Sequence, residues 1–154
     1  MLLKNRKDNN HPSRFPVTPT QHYFSNAVGS VDFVPHEYVY LHWTGAPLSS
    51  IEFRALYVHA RNLLRRHRLK GILADHHAMP NAPDSDDREW LLNEWLPQTL
   101  EETPFTHYAV IPMPDAANRL HTDTVLQDLR QLVTVGVFDN LDQARSWMKT
   151  AKAG

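Results

Sequence analysis

From Lys70 to Met148 short apolar runs alternate with stretches of helical period, and this alternation restricts the fold more than any other feature of the chain. Lys70–Ala74 and Val133–Phe138 are apolar runs of strand length, and His107–Met113 is so uniformly apolar that it reads as a central strand. Between and after them lie three helical patterns. The first starts at Asp84 or Ser85 and places Leu91, Leu92, Trp95 and Leu96 on one broad face, with Pro97 expected to kink or stop it near Leu96. The second starts at Thr122 or Asp123, with Val125, Leu126, Leu129 and Leu132 inward. The third is capped by Asp139 or Asn140 and packs through Leu141, Ala144 and Met148. Strands that alternate with helices pair in parallel through right-handed crossovers.

Upstream, Tyr23–Val28 and Val31–Pro35 are short strand candidates. Tyr38–Trp43 alternates, with Val39, Leu41 and Trp43 on one face and Tyr38, Tyr40 and His42 on the other. Gly45-Ala46-Pro47 ends that strand. Ser49 and Glu52 form a capping box, which starts a helix running to about Arg68. Phe53, Leu56, Ala60, Leu63, Leu64 and His67 mark its buried face. Arg54, Arg61, Arg65 and Arg68 form a basic stripe on another. The expected fold is therefore a single α/β domain over residues 22–150, with a mixed sheet: an N-terminal β-hairpin or meander, then αβαβαβα. Residues 1–21, broken by Pro12, Pro16 and Pro19 and poor in apolar side chains, read as a tail, disordered or loosely docked.

Composition removes several classes of function. A formal net charge of −1 gives no general field for nucleic acid. With no cysteine, disulfides, thiolate metal sites and thiol nucleophiles are absent. No apolar run approaches the roughly 20 residues that span a bilayer, and the N-terminus lacks the apolar core of a signal peptide. A cytoplasmic location is the simplest expectation, with peripheral membrane contact left open.

Trp43-Thr44-Gly45 before the first helix, Ile72-Leu73-Ala74-Asp75 ending a strand, and Trp90…Trp95-Leu96-Pro97 carry a resemblance in their order and spacing. With Tyr108-Ala109-Val110-Ile111 and Phe138-Asp139…Ala144…Trp147-Met148, they resemble the SpoIIAA-like branch of STAS domains, over roughly Tyr23–Met148. The resemblance implies a non-enzymatic module that binds an apolar ligand between a mobile helix and the sheet, or a partner protein or membrane. STAS antagonists are switched by phosphorylation of a serine at a helix start, which places Ser85 as the phosphorylation candidate. Here Asp86-Asp87-Arg88-Glu89 follow, and those acids repel a phosphate, so Asp84 or Ser85 reads first as a helix cap.

The candidate ligand cleft lies between the Ser85–Leu96 helix and the strand ends at Trp43, Asp75 and Pro112, lined by Trp43, Asp75, Trp90, Leu91 and Trp95. The alternative is a protein-interaction module using Ser85 and the surface of Arg54, Arg61, Arg65 and Arg68; a homodimer is a secondary expectation, from the opposite charges of the first helix and of the Asp84–Glu102 helix. A further alternative is a metal-dependent hydrolase at Asp75-His76-His77. That motif resembles the signature of a two-metal phosphoesterase superfamily, but the chain lacks its upstream Asp-x-Asp partner. His76 and His77 are therefore expected to be exposed loop residues, Asp75 to accept backbone N–H bonds from its loop, and no metal or cofactor is assigned. No Gly-x-Ser-x-Gly elbow or phosphate-cradling glycine loop is present.

Overall fold

The computed structural model describes residues 19–153, so the tail expected over residues 1–21 lies, up to residue 18, outside the described residues. Its six-stranded sheet has the strands in chain order: β1 (Gln21–Ser25), β2 (Gly29–Val34), β3 (Tyr38–Trp43), β4 (Gly71–Asp75), β5 (His107–Ile111) and β6 (Thr134–Val137). β1, β2 and β3 pair antiparallel as a meander, and β3 to β6 pair in parallel. The helices are α1 (Ser50–His67), α2 (Ser85–Trp90), α3 (Leu96–Glu102), α4 (Ala116–Leu129) and α5 (Leu141–Ala153), with a π-helical turn, Leu91–Trp95, joining α2 to α3. No helix among the described residues is long and apolar enough to cross a membrane.

Sequential parallel strands joined by right-handed crossovers put every crossover on one face of the sheet. α1, the α2–π–α3 segment and α4 accordingly share one face. Their Phe53, Leu56, Leu64, Leu91, Trp95 and Leu126 pack on Val39, Leu41, Ile72, Ala74, Tyr108 and Val110. α5 alone covers the opposite face, over β4 to β6, where Ala144 and Met148 meet Leu73, Ala109 and Ile111. It comes so close that a Cβ on Gly71 would collide with the Met148 side chain. A fully buried leucine such as Leu56 or Leu63 contributes about 1.5–3 kcal/mol by leaving water.

Local chemistry sets the helix ends. Ser49 caps α1: its Oγ accepts from the Glu52 N–H at 3.3 Å and donates to the Glu52 carboxylate at 2.9 Å. Arg68 closes that helix in the left-handed conformation. Asp84, not Ser85, caps α2, accepting from the Asp87 N–H at 2.9 Å. Asn140 caps α5 through the Gln143 N–H at 2.9 Å.

Two helical boundaries need comment. Of the two outcomes expected at Pro97, a kink or a stop, the stop does not occur, and the helix continues to Glu102 beyond a π turn. The π turn just before Pro97 widens the coil, and a proline's missing N–H and its ring are accommodated where the i→i−4 ladder is already broken. α4 begins at Ala116, ahead of the expected start at Thr122 or Asp123. Its first turns are largely exposed, so they carry no inward apolar period for a sequence reading to detect.

Candidate functional site

The side chains that converge most informatively do so around His76. Along β4 the alternation sends Ile72 and Ala74 toward α1 and Leu73 and Asp75 toward the opposite face. It continues one residue past the strand, because the His76 N–H still donates to the β5 carbonyl of Ile111 at 2.8 Å. His76 is thereby buried, 6% exposed, with Trp43 edge-on to its ring at 5.0 Å. The expectation of an exposed loop histidine is corrected for His76, while His77 is exposed as expected.

His76 helps to line a cavity of about 30 Å³, with room for one or two waters. Seven of the lining residues are apolar: Phe53 of α1, Met79 and Pro83 of the loop, Leu91 of the π turn, and Val125, Leu126 and Leu129 of α4. Its polar members are His76, Thr122, Arg88, Tyr57 and Tyr108, the last two joined by a 2.9 Å hydrogen bond between hydroxyls. Seven buried side-chain polar atoms among the described residues lack a partner, and three of them belong to residues that line the cavity, both ring nitrogens of His76 and the Thr122 hydroxyl, although the surface turned to the cavity is almost wholly apolar. A buried polar atom without a partner is uncommon in a folded protein and calls for an explanation.

Burial also fixes the charge state of this wall. It lowers the His76 pKa to about 4, so the ring is neutral at neutral pH. It raises Tyr108 to about 12 and Tyr57 well above the usual phenol value. Arg88 carries the wall's only formal charge; it is half-buried, and its Nη1 donates to the Pro83 carbonyl.

The other expected ligand residues fall around this cavity in different ways. Leu91 lines it directly. Trp43 backs the His76 ring. Trp95 lies deeper, its Nε1 donating to the Tyr57 carbonyl at 2.6 Å, and packs edge-on to Tyr57 and Phe105. Trp90 is half-buried outside, with the Arg54 guanidinium 5.2 Å above its ring. Asp75 is on the opposite face and accepts the His77 N–H at 2.9 Å, so it is not part of the cavity. Sequence reasoning missed His76, Thr122 and the tyrosine pair as cavity residues. The two-residue period of β4 extends to His76 only through its pairing with Ile111 past the strand's end, which no local signal announces.

The basic stripe on α1 is partly consumed within the molecule. Arg54 donates to the buried Asp87 carboxylate at 2.8 Å, which also accepts from Ser50 at 3.0 Å, and Arg65 pairs with Glu102 at 3.0 Å. Arg61 is half-buried, its Nε without a partner. Arg68 is exposed at the end of the helix. Ser85 is exposed beside Asp84 and Asp86, also exposed.

The opposite face holds a second polar cluster. Asp32 bridges two histidines, His22 Nδ1 at 2.7 Å and His42 Nε2 at 3.0 Å, and Tyr40 stacks on His42 at 4.7 Å. Tyr40 itself is pushed up to about 12, by burial first and then by the Asp75 charge. No group of three or more His, Asp or Glu among the described residues is placed to hold a metal ion. Comparison with protein-family models, with curated proteins and with solved structures found no match to this chain.

Proposed function

We propose that this protein is a binding module, without a chemical step of its own, that holds an apolar small molecule or lipid chain in the His76 cavity. One observation carries the reading: a cavity with an almost wholly apolar surface, enclosed by α1, α4 and the loop that leaves the C-terminal end of β4. Ligand sites in α/β sheets favour that edge, and a mostly apolar wall with a few convergent polar groups is the usual composition of a small-molecule site.

The cavity is closed to anything of that size, since ligand pockets run to about 300 Å³ or more. α4 is the wall that yields. It docks through Thr122, Val125, Leu126 and Leu129, while Leu120 in its first half is 67% exposed. A 3.3 Å bond from the Ala82 N–H to the Asn118 carboxamide ties that half to the His76–Asp84 loop. Kinship with the SpoIIAA-like STAS modules belongs to the same proposal; the meander followed by βαβ units supports it. A protein-docking role for the arginine stripe has less support, because Arg54 and Arg65 already have intramolecular partners.

The test is a tryptophan-fluorescence titration of the full chain with medium-chain alcohols, fatty acids and a non-ionic detergent, alongside native mass spectrometry of gently purified protein. Trp43, against His76, is the reporter. A saturable one-to-one change, or a co-purified organic mass, is the expected result. The absence of both removes the reading.

A further inference from the structure

We propose that two copies of this chain join edge to edge through β6, antiparallel about a two-fold axis at Gly136, so that their sheets become one. The proposal is independent of the cavity reading.

The two edges of the sheet differ. β1 is interrupted by a register shift between His22 and Phe24, an irregularity that turns an edge away from further pairing. β6 is in unbroken register with β5 over its whole length. The stretch Leu132–Phe138 has no charged residue and no proline, the usual guards of an exposed edge. Thr134 and Phe138 donate their N–H groups to the Thr106 and Val110 carbonyls. The alternate residues Val135 and Val137 therefore turn both N–H and C=O away from the sheet. Leu132 and Val137 are also two of the four large apolar side chains exposed among the described residues.

A second copy suits this edge because the edge is complementary to itself. With the axis at Gly136, Val135 of each copy stands opposite Val137 of the other. Each such pair exchanges both of its hydrogen bonds, so every outward group of the two valines is satisfied. Gly136 meets its own counterpart at the closer, non-hydrogen-bonded position, where the Phe138 and Trp147 rings already fill the space a side chain would need.

α4 adds charge complementarity. Its buried residues, Thr122, Val125, Leu126 and Leu129, fix the direction of the sheet. At 3.6 residues per turn, exposed Arg119, Asp123 and Arg130 fall about a quarter-turn from that direction. In a right-handed crossover that flank points over the free side of β6. Asn118, bonded to the Ala82 N–H, leans the other way. The two-fold axis sets the two α4 helices antiparallel on one face, about two strand spacings or ~10 Å apart, the distance of packed helices. Asp123 of each copy is thereby brought toward Arg130 of the other, an isologous contact of opposite charges.

The test is sedimentation equilibrium of the full chain from micromolar to millimolar concentration, with amide hydrogen exchange followed by NMR. The expected result is a species of twice the chain mass in which the Val135 and Val137 amides are protected. Val137→Lys places a charge on an exposed position of the edge and should weaken the dimer by at least about a hundredfold, with both amides exchanging freely. Asp123→Arg should weaken it by about tenfold, and adding Arg130→Asp should restore it. A chain that stays monomeric overturns the proposal and leaves the edge to a strand from another protein. A dimer in which the Val135 and Val137 amides exchange freely, or which Val137→Lys leaves intact, overturns it too, since the copies then meet elsewhere.

Discussion

His42 and Asp75 stand side by side in the register of β3 and β4, and His76 follows Asp75 directly, yet the two histidines live under opposite conditions. His42 is on the face that α5 leaves bare beyond β4, a third of its side chain exposed, and it shares the Asp32 carboxylate with His22. His76 is under three helical elements, nearly enclosed, with no partner for either nitrogen. The first cluster has satisfied its own hydrogen bonds and has water for the remainder, so it presents little that a ligand could improve. The second has capacity that neither protein nor bulk water uses. Richness in polar side chains is therefore a poor guide to a binding site; an enclosed apolar surface is a better one.

The sharpest test of this contrast is acid. The folded-state pKa of His76 lies near 4, below the ordinary histidine value of the unfolded chain. Between those values the unfolded chain holds the proton that the folded protein refuses, so stability falls as pH drops through that window. A displacement of this size is worth about 3 kcal/mol by pH 4. His59 and His107, also lowered by burial, act in the same direction. Urea denaturation of the parent protein and of His76→Leu at pH 7 and pH 4 should show the variant losing about 3 kcal/mol less. Equal losses would mean that His76 is already hydrated or protonated in the folded protein, and the contrast with His42 would dissolve.

A buried polar group on the covered face that does have partners gives the second test. Asp87 is as enclosed as His76, but Arg54 and Ser50 satisfy it, and it fastens the start of α2 to α1. Asp87→Ala should lower stability by about 2–3 kcal/mol, held to that range because the partly exposed Arg54 can return to water. Arg54→Met should lower it less, and the double variant should fall short of the sum when followed by chemical denaturation. Strict additivity would show that apolar contacts alone hold α2 in place.

Much of the architecture was legible because it follows from periods that survive averaging. The two-residue alternation of Tyr38–Trp43, the capping box at Ser49 and the apolar runs of β4 and β5 each point to one local structure. What escaped depends on neighbours distant in sequence. Nothing local to Asp75-His76-His77 says that the first side chain faces α5's side and the second the α1 side; pairing with Ile111 beyond the strand's end decides it. Thr122 gave no signal because its significance is the lack of a partner, a property of the assembled wall. The π turn was hidden for a related reason: Pro97 announces a break, but whether the chain stops or widens depends on the burial of Leu91 and Trp95 beneath it.

The smallest expected effect comes from the bare face, and its smallness is the point. Asp32→Ala removes the carboxylate that both His22 and His42 contact. If that cluster owes little to burial, the two rings simply regain water: His22 is 58% exposed, and His42 keeps its stack on Tyr40. The loss should be about 1 kcal/mol, the net worth of hydrogen bonds whose partners regain water. Octan-1-ol affinity should be unchanged, since Asp32 and the cavity lie on opposite faces of the sheet. A loss of 2 kcal/mol or more in urea denaturation would place the cluster among the buried networks of the molecule. A change in octanol affinity would show the two faces to be coupled through β3 and β4, and the cavity would then have to be treated as one end of a larger device.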